Sequence, residues 1–194
     1  MSLKRLPPAL CVLAVCLLCV PAAWAAPPRY AGGFRTGYEF NFSFPFFMFQ
    51  DKSGLEDDFG FGFRFGYLYN PTNEIEFVFD TVRADDAVFP GEYVDTTNLQ
   101  VAYVHNFSSH GVVPYFTAGG GFVFSDDSSP ALGDETDLVL AVGGGARFFI
   151  GRVAYFRAEL RGNFFEGSGD VYSNGENFAF TELSFGMGWR FPTH

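Results

Sequence analysis

From residue 34 onward, polar and apolar side chains alternate with a period of two, the pattern of strands with one apolar and one polar face. In the first segment Phe34, Thr36, Tyr38, Phe40, Phe42 and Phe44 share one face, and Arg35, Gly37, Glu39, Asn41 and Ser43 the other. The second sets Phe59, Phe61, Phe63, Phe65, Tyr67 and Tyr69 against Gly60, Gly62, Arg64 and Gly66, and the third sets Ile75, Phe77 and Phe79 against Glu74, Glu76 and Asp80. Leu99, Val101 and Tyr103 oppose Asn98, Gln100 and Asn106 in a fourth strand, and Phe116, Ala118, Phe122 and Phe124 oppose Thr117, Gly119 and Gly121 in a fifth. A sixth sets Leu138, Leu140, Val142, Ala146 and Phe148 against Asp137, Gly143, Gly145 and Arg147. Ala154, Phe156, Ala158 and Leu160 oppose Arg157, Glu159, Arg161 and Asn163 in the seventh; Thr181, Leu183, Phe185, Met187, Trp189 and Phe191 oppose Glu182, Ser184, Gly186, Gly188 and Arg190 in the last. No stretch after residue 26 shows a 3.6-residue apolar period or the ~20 consecutive apolar residues of a spanning helix. The pattern predicts an all-β chain of about eight antiparallel strands.

The links alternate in length. Asn70-Pro71-Thr72-Asn73, Ser108-Ser109-His110-Gly111 and the neighbourhood of Gly151 are short, whereas 45 to 58, 84 to 95, 125 to 135 and 165 to 177 are long. Short turns at one end and long loops at the other are the pattern of a transmembrane up-and-down β-barrel, with the short turns in the periplasm. An even strand count puts both termini on that side.

The N-terminus agrees with export. Lys4 and Arg5 precede the apolar run Leu10 to Val20, and Pro21 leads into Ala22-Ala23-Trp24-Ala25-Ala26, the three regions of a secretory signal peptide cleaved before Ala26. Residues 1–25 are thus expected to be the signal and 26–194 a single barrel domain. All three cysteines, Cys11, Cys16 and Cys19, fall in the signal, so the exported part has no thiol for a disulfide, a metal or a nucleophile. Without Lys4 and Arg5 the chain keeps 10 basic against 22 acidic side chains, a formal charge of −12, which argues against nucleic-acid binding.

Which face meets lipid follows from the charges. Six arginines (Arg35, Arg64, Arg147, Arg157, Arg161, Arg190) and six acids (Glu39, Glu74, Glu76, Asp80, Glu159, Glu182) lie on the polar face. An arginine turned to mid-bilayer costs roughly 2–4 kcal/mol, so six would cancel a folding stability of about 5–15 kcal/mol. They are therefore expected in the lumen, as a salt-bridge network, with the apolar face in lipid; a soluble ligand-binding barrel would have the opposite arrangement. Tyr67, Tyr69, Tyr103, Phe107, Trp189 and Phe191 cluster at the turn ends, as an interfacial girdle does. Matching strand depths predicts that Arg64 bridges Glu39 and Asp80 and that Arg161 pairs with Glu182. Lumenal glycines (Gly37, Gly60, Gly62, Gly66, Gly119, Gly121, Gly143, Gly145, Gly186, Gly188) are read as room for curvature and for long arginines.

Residues 30–191 resemble the small outer-membrane β-barrel family, which includes the OmpA transmembrane domain, OmpX and the opacity-type proteins. The most specific element is the last strand, Ser184-Phe185-Gly186-Met187-Gly188-Trp189-Arg190-Phe191, whose Ser184, Gly186, Trp189 and Phe191 resemble the signal by which the barrel assembly machinery recognises its clients. The resemblance implies outer-membrane location, contact with outer-membrane lipid and lipopolysaccharide, a monomer, and a structural or surface-interaction role with acidic extracellular loops. A narrow channel and a lipid-modifying enzyme are the alternatives.

Candidate chemistry is sparse. His105 and His110 flank Ser108 and Ser109, but no acid lies near them in sequence and the reading is a plain turn. The pairs Asp57-Asp58, Asp85-Asp86, Asp126-Asp127 and Asp134-Glu135 fall in the long loops without calcium-loop spacing and read as a solvated surface. No catalytic, cofactor or metal residue is assigned. Phe46, Phe47, Met48 and Phe49 are read as an extension of the lipid-facing wall.

Overall fold

The computed structural model describes residues 36–50, 53–87, 91–108, 111–128, 134–166 and 177–193. The predicted signal peptide, Arg35, Ser109 and His110, and most of the last long link lie outside them. The strands are β1 (Gly37–Phe49), β2 (Asp58–Phe59), β3 (Phe61–Asn70), β4 (Asn73–Asp85), β5 (Tyr93–Asn106), β6 (Val112–Asp127), β7 (Asp134–Ile150), β8 (Ala154–Glu166) and β9 (Asn177–Pro192). Each long strand pairs antiparallel with the next, and β9 returns to β1 from Gly37↔Pro192 to Phe49↔Phe180, closing an eight-stranded barrel. The two-residue β2 is an appendage that pairs with the end of β1 through Phe46↔Phe59 and Phe47↔Asp58.

The register fixes the shape of the barrel. Followed once round from Glu39, it passes through Gly66, Glu76, Ala102, Gly119, Ala141, Asn163 and Phe180 and arrives at Phe49, ten residues further along β1. A shear of ten on eight strands, with strands ~4.8 Å apart and ~3.3 Å per residue, implies a tilt of about 40° and a backbone radius of about 8 Å. Such a lumen has room for side chains and little else.

The strands run further than the link lengths predicted, leaving connections of 50–57, 86–92 and 128–133. The alternation does not stop at Pro45: its residue pairs with Ser184, and its carbonyl accepts a bond from Gly60 N at 2.7 Å. At the other end the turns are tight. Asn70 Oδ1 accepts from the backbone amides of Thr72 and Asn73 at 3.0 and 2.9 Å, an Asx turn. Gly111 and Gly151 adopt φ of 68° and 80°, a region that side chains with a Cβ resist.

The outer face is a continuous aromatic and aliphatic surface. Phe40 packs on Phe65 with centroids 4.9 Å apart, Phe42 on Phe63 at 5.5 Å and Phe46 on Phe59 at 4.7 Å. Phe44 and Leu138 are among the most exposed apolar side chains, which in water would be untenable over so large an area. The inner face holds the charges, and at the long-loop end it holds a separate apolar layer. There Phe47, Phe49, Val82, Ala84, Val123, Val139, Phe165 and Phe180 are buried together, with Leu55 packed against them. Phe47 and Phe49 therefore point into the lumen and are not part of the wall. They share strand parity with Glu39, Asn41 and Ser43, so the alternation that puts Phe44 and Phe46 outside puts them inside.

Glycines make room for particular side chains. A Cβ at Gly66 would stand 1.8 Å from Glu74 Oε1, at Gly62 2.2 Å from Asp80 Oδ1, at Gly145 2.6 Å from the Tyr115 hydroxyl, and at Gly188 2.3 Å from the Tyr155 hydroxyl. The space serves carboxylates and tyrosines more than the arginines expected to use it. Replacing Gly188 with valine is expected to displace Tyr155 and to destabilise the barrel by about 1–3 kcal/mol, the usual cost of overpacking. The measurement is the urea midpoint in detergent micelles; an unchanged midpoint would show that the ring moves without penalty.

Candidate functional site: the barrel lumen

Inward-facing positions of all eight long strands converge on one buried network. At the short-turn end Glu39 (β1) is the hub: its carboxylate lies 2.8 Å from Arg147 Nε and 2.7 Å from Arg190, and it accepts a bond from the Tyr155 hydroxyl at 2.6 Å. Arg147 (β7) also donates to Glu74 at 3.0 Å and to Asn106 Oδ1 at 2.5 Å. In the next tier Arg157 (β8) holds Glu76 through both terminal nitrogens at 2.5 and 3.0 Å, and meets Glu159 at 2.5 Å. Its Nε donates to the Tyr115 hydroxyl at 2.8 Å, which in turn donates to Glu159 at 2.6 Å. The Tyr115 ring lies between two guanidinium groups, 4.6 Å from Arg147 and 4.8 Å from Arg157, a cation–π arrangement favoured where water is excluded.

Higher still, Arg161 meets Glu159 at 2.8 Å and Glu76 at 3.7 Å, and donates to Gln100 Oε1 at 3.2 Å. Arg64 meets Glu182 at 2.6 Å, Asp80 at 3.3 Å and Glu159 at 3.5 Å. Gln100 Nε2 extends the network to Asn98 and Asn163 at 2.9 and 2.7 Å. All of these side chains are almost completely buried. Within this network five arginines thus face six acids. Asp137 and Glu135, the latter read from sequence as solvated, are buried higher in the lumen on β7, and the sixth candidate arginine, Arg35, lies outside the described residues.

Two pairings differ from those read off strand depth. Arg64 takes Asp80 but not Glu39, and its second acid is Glu182; Arg161 turns to Glu159 and Glu76. Strand tilt is the reason: counting depth from the turns ignores the climb of the register round the barrel, which lifts Arg64 above Glu39 and toward Glu182. The side chains are also long enough to cross a lumen of this radius, so a strand-adjacent partner has no privilege over an opposite one. Arg161 and Glu182 are direct register partners and still do not pair.

Tyr115, Tyr155, Asn106, Gln100, Asn98 and Asn163 belong to the network; alternation puts Asn98, Gln100, Asn106 and Asn163 on polar faces, and the two tyrosines are the members it did not name. Parity would have found the tyrosines, since Tyr115 falls two residues from Thr117 and Tyr155 two from Arg157 on inward positions. Of the assembly-signal residues, Ser184 points inward beside Arg64, while Trp189 and Phe191 stand on the outer face at the short-turn end, opposite Phe40 and Tyr38 of β1.

Glu39, Glu74 and Glu76 bring carboxylate oxygens within 4.8 Å of one another, a spacing that suits a cation. The Arg147 guanidinium already stands against all three, at 2.8, 3.0 and 3.7 Å, and supplies the positive charge a metal would bring. His105, on the outer face, is engaged by Asn73 Oδ1 at 2.8 Å and packs edge-on to Phe107. The acidic loop residue Asp57 ties its own loop down, accepting from Phe49 N at 2.9 Å.

A closed barrel that is greasy outside and charged inside is built for a bilayer, where every backbone group finds its partner within the wall. The sequence matches the outer membrane protein β-barrel domain over residues 9–191, and the chain belongs to that family of bacterial outer-membrane proteins. The fold is similar to the N-terminal β-barrel domain of Pseudomonas aeruginosa OprF (15% identity, TM-score 0.57, covering 82% of this chain and all of that one) and to Neisserial surface protein A (18%, 0.55, 83% and all). It is also similar to Ail, the attachment invasion locus protein of Yersinia pestis (16%, 0.53, 82% and all). No curated protein sequence gives a match.

Breaking one member of the network leaves its partners buried and uncompensated. Arg64→Met, which strands Asp80 and Glu182, is expected to cost about 3–5 kcal/mol, and adding Glu182→Gln to restore part of it. Urea unfolding of the refolded barrel measures both; equal midpoints for the single and double variants would mean that the Arg64–Glu182 contact contributes no coupling.

Proposed function

We propose that the protein is a structural and surface-interaction barrel of the outer membrane, closed to solutes and without catalysis, that presents acidic loops outside the cell. What carries this reading is the lumen: charged and polar side chains from all eight long strands are paired with one another there, so the interior is committed to holding the barrel together. The long-loop end carries Asp57, Asp58, Asp85, Asp86, Asp126 and Asp127, an acidic rim suited to basic or cation-bridged partners. In this reading the barrel is a monomer in contact with outer-membrane lipid and lipopolysaccharide. The barrel assembly machinery receives it through Ser184, Gly186, Trp189 and Phe191.

The direct test is flux. Liposomes containing the refolded protein are expected to swell in an isotonic small-sugar solution no faster than empty ones; faster swelling would establish the narrow-channel reading instead. Lipid A from cells with and without the protein is expected to have the same mass, and a change in acylation would assign an enzyme.

A further inference from the structure

We infer that the seal of this lumen is the apolar layer at its long-loop end, and that the charged network beneath it is a wettable chamber that does not by itself bar small ions. The inference rests on the closed-barrel reading and assigns the closure to particular residues.

The layer draws on six of the eight long strands. Phe47 and Phe49 from β1, Phe165 from β8 and Phe180 from β9 form a cluster of rings: Phe180 lies 5.4 Å from Phe47, 5.8 Å from Phe49 and 6.1 Å from Phe165. They face Val82 and Ala84 of β4, Val123 of β6 and Val139 of β7, short side chains that leave room for the rings. The register places these eight residues at nearly one height. Leu55 is pinned over them by the first loop, whose Glu56 N bonds Asp85 O at 2.9 Å and whose Gly54 carbonyl accepts from Ala87 N at 2.7 Å. The eight side chains of the layer carry no polar atom to replace a hydration shell, so an ion passing among the rings would shed water with little in exchange. The buried Thr96 and Asp137, register partners of Val82 and Val123, border the layer on β5 and β7.

The chamber below differs in kind. Asn41, Ser43 and Thr117 are buried there with side-chain polar atoms that have no protein partner, as does Asn106 through its Nδ2, and buried polar atoms of this sort are normally met by water. Its ion pairs have near-degenerate alternatives: Arg64 has a third acid at 3.5 Å, and Arg147 and Arg161 each have a further one at 3.7 Å. With six acids for five arginines, partners can be exchanged, and a hydrated, exchangeable network is a poor barrier to a small ion.

Conductance across planar bilayers, with refolded parent, Phe47→Ala/Phe180→Ala and Glu182→Gln proteins, separates the two barriers. Retention of the heat-dependent gel shift certifies a folded barrel in each. The parent and Glu182→Gln are expected to be silent, and the double variant to show unitary steps. If the double variant loses its gel shift, Phe180→Ala alone, which removes the ring touching the other three, makes the same comparison. A silent, folded apolar variant beside a silent parent, or steps in Glu182→Gln alone, would overturn the assignment of the seal. Steps in the parent would instead overturn the closed-barrel reading from which it starts.

Discussion

The contact on which the rest of the structure depends is the desolvated guanidinium–carboxylate pair. Closing eight strands with a shear of ten leaves an interior only side chains can fill, and the chain fills much of it with charge. A charge in that position without a partner is among the most destabilising features a protein can carry, whereas a fully engaged network is tolerated. Each component of the lumen follows from this demand. Tyr115 accepts from Arg157 and donates to Glu159, reinforcing their direct pair, and Tyr155 donates to Glu39. Gln100 and Asn106 accept from the donors that Arg161 and Arg147 have left over, and Gly66, Gly62 and Gly188 withhold a Cβ where Glu74, Asp80 and Tyr155 need the space.

The network and the membrane hold the register jointly. Inside and outside are read by alternate residues of one strand, so a slip of one position would place Arg64, Arg157 or Arg190 against lipid and Phe63, Phe156 or Trp189 in the lumen. At roughly 2–4 kcal/mol for each arginine near mid-bilayer, a slipped strand is penalised twice, by the charge it exposes and by the acids it abandons. The barrel has no disulfide among its described strands, and this double specification is what fixes the pairing.

The sequence made the fold and membership of the lumen legible because both depend on parity, a local property. Glu39, Arg64, Glu74, Glu76, Asp80, Arg147, Arg157, Glu159, Arg161, Glu182 and Arg190 are inward by alternation alone. Who pairs with whom was not legible, because it depends on tilt and on reach across the lumen: Arg64 and Glu182 are 118 residues apart, and nothing local joins them. Phe47 and Phe49 were misassigned for a different reason. A run of apolar residues from Phe46 to Phe49 hides its own alternation: Phe44 and Phe46 continue the outer face, which makes Phe47 and Phe49 look like more of the same wall although their parity with Glu39 and Ser43 points inward.

That misassignment exposes how the barrel changes along its axis. On β4 the polarity inverts within three residues: Val82 and Ala84 are buried in the lumen, while Arg83 between them stands outside, bonded to Asp95 at 2.8 and 2.7 Å and stacked 4.2 Å from the Tyr93 ring. Thr81 and Thr97, just below, are already paired on the outer face, and Val139 is inward where Thr136 is outward. Two orientations of the same alternating strand are therefore stacked in one wall. Through most of its height the barrel is charged within and greasy without; at the apolar layer the β4–β5 side carries Arg83, Asp95 and Thr97 outside, while Phe124, Leu138 and Phe164 keep the other side apolar. On the β4–β5 side the outer surface has already turned polar, and strands that continue there must bury their apolar residues on the other face, which is why Val82 and Ala84 point into the lumen.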